Sequence, residues 1–103
     1  MGGFAIVEWA KDLEGVIAYI QTIEVASDRR GQGIGGELLR QCEQAAREAG
    51  AQSIWLHVSA QNAGAIRLYE RNGYRCVGRE EDYYARGHAA LVYTKPLAAA
   101  LAT

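Results

Sequence analysis

Between an apolar stretch rich in β-branched residues, Val16 to Val25, and an amphipathic stretch that opens at Ile34, the chain reads Arg29-Arg30-Gly31-Gln32-Gly33-Ile34-Gly35-Gly36. Four glycines within six residues remove the Cβ atoms where a strand gives way to a helix. The main chain can then approach a ligand closely, and the N–H groups of the first helical turn can face an anion. Arg29 and Arg30 add donors for charge-assisted hydrogen bonds, so the predicted ligand is a phosphate or pyrophosphate. A tight turn alone would need only one or two glycines. The Walker reading fails, because Gly35-Gly36-Glu37 has neither the lysine nor the hydroxyl that such a loop requires. Gly31, Gly33 and Gly36 satisfy G-x-G-x-x-G, but the strand that follows ends His57-Val58-Ser59, without the acid that a dinucleotide site places there.

Periodicity on either side gives the organisation. Phe4 to Trp9 and Val16 to Val25 read as two strands, joined by the polar turn Ala10 to Gly15 and therefore paired antiparallel. From Ile34, apolar residues recur at three- and four-residue steps through Leu38, Cys42, Ala45 or Ala46 and Ala49, the stripe of an amphipathic helix that Gly50 ends. Ser53 to Ser59 returns to strand. Ala63 to Asn72 forms a second helix, with Asn62 as N-cap, Gly73 as stop, and Ile66 and Tyr69 on its inner face. Tyr74 to Val77 and Ala89 to Lys95 read as two further strands, joined by the charged stretch Arg79 to His88 and ended by Pro96. The order is β-β-α-β-α-β-β, an α/β chain without internal repeats. Residues 1–96 form a single domain on this reading, followed by an alanine-rich tail, 97–103, expected to fray.

Composition narrows the function. The chain has 103 residues and a net charge of -1, which suits one soluble domain and gives no excess of positive charge to hold nucleic acid. Cys42 and Cys76 show no metal-ligand spacing, so a reducing compartment and no metal are expected. The N-terminus lacks the pattern of a secretory signal, and every apolar run falls short of the roughly 20 residues that span a bilayer. A cytoplasmic location, away from membranes, is the expectation.

Arg30-Gly31-Gln32-Gly33-Ile34-Gly35 fits R-x-x-G-x-G and follows a long strand; downstream, Asn62-Ala63-Gly64-Ala65 through Tyr69 to Gly73-Tyr74 fits N-x-x-A-x-x-x-Y followed by a glycine and an aromatic residue. In both motifs and their order the chain resembles the GCN5-related N-acetyltransferase (GNAT) superfamily. The resemblance implies a mixed sheet flanked by helices and an acetyl-CoA cosubstrate. It implies that Arg30, Gly31, Gln32, Gly33, Ile34, Gly35 and Gly36 hold the pyrophosphate, and it places Asn62 and Tyr69 on the coenzyme side. The strand before the loop splays from its parallel neighbour in that superfamily, so Ile23, Glu24 and Val25 would present backbone groups to the acetyl and pantetheine.

Acetyl transfer to an amine needs a base, donors for the oxyanion and an acid for the thiolate. Tyr69 matches the family's tyrosine near the coenzyme sulfur. His57, in Leu56-His57-Val58, resembles the L-H-V of some protein Nα-acetyltransferases, and an imidazole titrates close to neutral pH. Tyr19 matches the tyrosine that assists it. Glu24 is the rival carboxylate, which strict alternation would place on the face opposite Tyr19. Tyr83-Tyr84-Ala85-Arg86-Gly87-His88-Ala89 resembles the Y-Y-x-x-G-x-x-A stretch whose tyrosines flank a peptide N-terminus. The acceptor expected is therefore a protein or peptide α-amino group, with a small-molecule amine as the alternative. Relatives usually carry an acid where His88 stands. Glu80-Glu81-Asp82 is the one acidic run that would favour a polycationic acceptor, although such a run is more often a solvated loop.

Members of that superfamily begin with a further strand and two helices that this sequence lacks. An N-terminally truncated domain of this kind is expected to turn over as it stands, to pair with a second copy as a homodimer, or to bind coenzyme without catalysis.

Overall fold

In a computed structural model, residues 3–12, 15–25 and 33–97 are described. Strand β1 (Gly3–Asp12) and strand β2 (Gly15–Val25) precede helix α1 (Ile34–Glu48) and strand β3 (Ala51–Ser59). Helix α2 (Ala63–Arg71), strand β4 (Arg75–Ala85) and strand β5 (His88–Pro96) complete the chain. This is the β-β-α-β-α-β-β order that the periodicity predicts. Local chemistry sets the helix ends. Asn62 Oδ1 accepts the Ala65 N–H at 3.1 Å, and the residues after each helix, Gly50 and Gly73, take φ of 84° and 91°, a region that only glycine enters without strain.

The five strands form one sheet in the order β1-β2-β3-β5-β4. β2 and β3 are parallel, while β1–β2, β3–β5 and β4–β5 are antiparallel. Alternation along the central strands sends Ala18, Ile20, Ile54, Leu56, Val58 and Tyr93 to one face, where they pack with Leu39, Cys42 and Ala46 of α1 and Tyr69 of α2. Each fully buried Leu or Ile there contributes about 1.5–3 kcal/mol. The opposite face carries Ile17, Tyr19, Trp55, His57 and Val92, none of them fully buried, and no described helix covers it. Residues on this second face are free to form a site.

Two expectations are corrected here. The inner stripe of α1 is Leu39, Cys42, Glu43 and Ala46, rather than one built on Leu38 and Ala49. Period alone does not identify which edge of a wide apolar arc meets the sheet. Glu43, 5% exposed, is tolerated inside because Tyr74 Oη donates to it at 3.0 Å, Lys95 Nζ donates at 3.1 Å and Arg47 stands at 3.9 Å. The second correction concerns Arg79 to His88, which is no connecting loop. β4 runs on to Ala85, and the pairing jumps from Glu80↔Ala90 to Ala85↔His88, so residues 81–84 bulge opposite one residue of β5. Asp82 enters the left-handed region at φ 53°, and its carboxylate accepts the Gly87 N–H at 2.6 Å. An interruption of this kind erases the alternation by which a strand is recognised.

Candidate active site

The site begins with an irregularity in β2. In its pairing with β1 the register passes from Val7↔Ile20 to Ile6↔Thr22, which leaves Gln21 as an extra residue. Pairing between β2 and β3 reaches Ile20↔Leu56 and goes no further. Beyond that point β2 continues to Val25 while β3 continues through His57 to Ser59 against β5 alone. The two parallel strands therefore part, as the resemblance implied, and the β2 edge over Ile23, Glu24 and Val25 is not paired to β3. Its backbone groups are available to a ligand. The side chains of Glu24 and Val25 lie outside the described residues.

At the mouth of the opening, the Tyr19 hydroxyl is hydrogen-bonded to His57 Nδ1. Glu80 Oε2 stands 3.3 Å from His57 Nε2, so both ring nitrogens are engaged. The β4 bulge brings Tyr83 back over the imidazole, with ring centroids 4.4 Å apart and planes within 4°, and Tyr84 meets Tyr83 edge-on. An open cleft of about 540 Å³ lies against these groups, lined by Glu8, Tyr19, Gln21, His57 and Tyr83. Burial raises the Tyr19 phenol well above the usual range, and Tyr83, Tyr84 and Glu80 add to the effect. Tyr19 is a neutral hydroxyl at physiological pH.

Tyr69 occupies the other face. Its ring packs against Tyr74 and Tyr93 at 5.8 and 6.4 Å and is 7% exposed, so it is a core aromatic as well as a candidate acid. Burial pushes its phenol up to about 12, with Tyr84 and Cys42 contributing.

Of the glycine-rich turn, Arg30, Gly31 and Gln32 lie outside the described residues. Gly33, with φ 80°, lies at the N-cap of α1, and its carbonyl accepts the Glu37 N–H at 3.0 Å. The N–H groups of Ile34, Gly35 and Gly36 belong to the first turn, where a helix has no acceptors of its own, and such donors suit an anion. Gly35 has a second task that the sequence does not display. A Cβ there would stand 2.9 Å from Leu68 Cδ2 of α2, so a side chain at this position would have to displace the end of Leu68. The Asn62 side chain, assigned to the coenzyme by the motif, is engaged in capping α2.

Glu8 and Gln21 carry no signal in the sequence, and Glu80 stands out there only as part of an acidic run. Its contact with His57 joins residues 23 apart in sequence, and no local pattern marks that pair.

Residues 1–74 match the family described as "Acetyltransferase (GNAT) family". The chain is 37% identical to the streptothricin acetyltransferase of Streptomyces lavendulae over 100 residues, covering 93% of this chain and 52% of that protein. It is 34% identical to the [ribosomal protein bS18]-alanine N-acetyltransferase of Escherichia coli K12 over 84 residues, covering 82% of this chain and 54% of that one. The crystal structure of Arabidopsis thaliana Naa50 in complex with the bisubstrate analogue CoA-Ac-MVNAL superposes with a TM-score of 0.82 at 28% identity, over 91% of this chain and 64% of that one. The chain spans about half the length of the two curated relatives.

Proposed function

Because the chain belongs to the GNAT family of acetyltransferases, we propose that it transfers acetyl from acetyl-CoA to a primary amine, by direct attack, and that the amine is the α-amino group of a peptide or protein. The observation that carries this reading is the Tyr19–His57 hydrogen bond at the point where β2 and β3 part, beside Tyr83 and Tyr84. The first turn of α1, with Arg30, holds the pyrophosphate, and the free edge of β2 over Ile23, Glu24 and Val25 holds the pantetheine arm. That edge also offers N–H donors to the tetrahedral oxygen, where a fixed donor lowers the barrier.

His57 and Tyr19 take one proton from the acceptor ammonium. The neutral amine attacks the thioester carbonyl carbon, the N–C bond forms and the C–S bond breaks. Tyr69, neutral because it is buried, gives its hydroxyl proton to the departing thiolate and regains one from the newly acylated nitrogen. The products are the amide, the free thiol and one proton released to water.

A second acceptor class has its own support. Glu8 lines the cleft and the Glu80 carboxylate stands at its edge, which favours a polycationic small amine, and the relative of highest identity given above acts on streptothricin.

A mass-spectrometric screen of peptide N-termini and small amines, streptothricin among them, with acetyl-CoA decides between the two. His57→Ala and Tyr69→Phe should each lower turnover on whichever acceptor responds while coenzyme binding is retained. Saturable binding of acetyl-CoA with no acetylated product from any amine would refute catalysis and leave a coenzyme-binding module.

A further inference from the structure

We propose that Glu80 is a positioning residue for His57, and that it fixes the order of a relay in which the acceptor's proton passes through the Tyr19 hydroxyl to His57 Nδ1. The inference rests on the acetyl-transfer reading above and adds to it a residue and a direction.

The direction follows from which groups can donate. An ionised carboxylate has no proton to give, so the contact between Glu80 Oε2 and His57 Nε2 at 3.3 Å requires the proton of a neutral imidazole to sit on Nε2. Nδ1 then carries a lone pair, and the Tyr19 hydroxyl bonded to it is the donor. Burial keeps that phenol protonated, in agreement with the assignment. The tautomer is thus set from both sides of the ring, and Tyr83 stacked on its face limits rotation out of this arrangement.

With both nitrogens engaged, an amine in the cleft has no open lone pair on His57 to reach. Tyr19 and His57 both line the cleft, and with both ring nitrogens hydrogen-bonded the Tyr19 oxygen, which keeps a lone pair, is the member of the pair that can accept a proton. In the step we infer, the ammonium gives a proton to Tyr19 Oη as Tyr19 gives its own to Nδ1. One N–H bond of the acceptor breaks, one forms at the imidazole, and Tyr19 ends as it began. The imidazolium so formed keeps its Nε2–H on the Glu80 carboxylate in a charge-assisted hydrogen bond. Three features of β4 hold Glu80 in place: its pairing with Ala90, the neighbouring Arg79–Glu81 ion pair and the Asp82 carboxylate on the Gly87 N–H.

The test compares Glu80→Ala and Glu80→Gln in the wild-type and His57→Ala backgrounds, using the best amine from the screen, together with nitrogen-15 spectra of the imidazoles. A His88→Gln chain leaves His57 as the single histidine signal. The expected results are an Nε2–H ring in the neutral wild type and a fall in kcat of roughly ten- to a hundredfold for Glu80→Ala with KM nearly unchanged. Glu80→Gln should fall in between, because its amide oxygen still accepts from Nε2 but brings no charge. In the His57→Ala background Glu80→Ala should cost no more than about twofold, since a residue that acts through another loses its effect when the other is gone. An Nδ1–H ring, or an equal loss in both backgrounds, overturns the relay. A wild-type chain that acetylates no amine yet shows the Nε2–H ring overturns acetyl transfer, and the relay's use with it, while the hydrogen-bond order stands; the two failures are therefore distinct.

Discussion

Removing the carboxylate at position 43 tests how the core supports the site. Glu43 is 5% exposed and receives the Tyr74 hydroxyl at 3.0 Å and the Lys95 ammonium at 3.1 Å. In Glu43→Ala the Tyr74 hydroxyl, on a residue 3% exposed, loses its acceptor, a cost of about 1–3 kcal/mol. Lys95 can turn toward water, so its share is that of a partly screened pair, about 1 kcal/mol or less. Loss of the one buried methylene, Cγ, adds on the order of 1 kcal/mol. The total is about 2–5 kcal/mol, which overlaps what removing one partner of a buried ion pair costs. Glu43→Gln keeps an acceptor for Tyr74 and should lose only about 1–2 kcal/mol. Glu43→Leu combined with Tyr74→Phe removes both polar partners and should recover most of the loss, because the penalty lies in the orphaned group. Urea unfolding reads this directly: with a slope of about 1–3 kcal/mol per molar, Glu43→Ala shifts the midpoint by roughly 0.7 M or more. A loss below about 1 kcal/mol at unchanged slope, or a double variant no more stable than Glu43→Ala, would refute the reasoning. Tyr74 packs on Tyr69, so the same variants should also loosen the candidate acid.

The buried phenol of Tyr69, pushed up to about 12, makes stability fall in alkali. Below about pH 10 both states hold the proton and the contribution is complete; between about pH 10 and 12 the unfolded chain ionises first, and stability drops by up to about 1.4 kcal/mol per pH unit. Urea midpoints measured across that window should slope less steeply in Tyr69→Phe. Asn62→Ala removes the cap on the Ala65 N–H and should cost about 1 kcal/mol, with Asn62→Asp recovering it in the same assay. Gly33→Ala must hold a side chain at φ 80° and should lose about 1–2 kcal/mol. Gly35→Ala sets a helix-propensity gain of about 0.5–1 kcal/mol against a contact with the movable end of Leu68, so its net effect should be small and should turn more favourable in a Leu68→Ala background, as a double-mutant cycle would show.

The amino-acid sequence alone determined the order of the elements, the glycines that end both helices, the Asn62 cap and the candidacy of Tyr19, His57 and Tyr69. These depend on periods of 2 and 3.6 residues, on allowed φ and on short motifs, all of which act over a few positions. Tertiary structure decided what partners those residues meet. His57 finds Tyr19 38 residues back and Glu80 23 residues on, and no local pattern announces a pair at such distances. It also decided where alternation breaks. One inserted residue at Gln21 and a wider bulge in β4 change which way side chains point, since each added residue reverses the parity of a strand. Glu43, charged and set by its sequence among solvent-facing neighbours, is buried because Tyr74 and Lys95 meet it from another part of the chain. Burial of a charge depends on compensation in space, which the linear order does not encode.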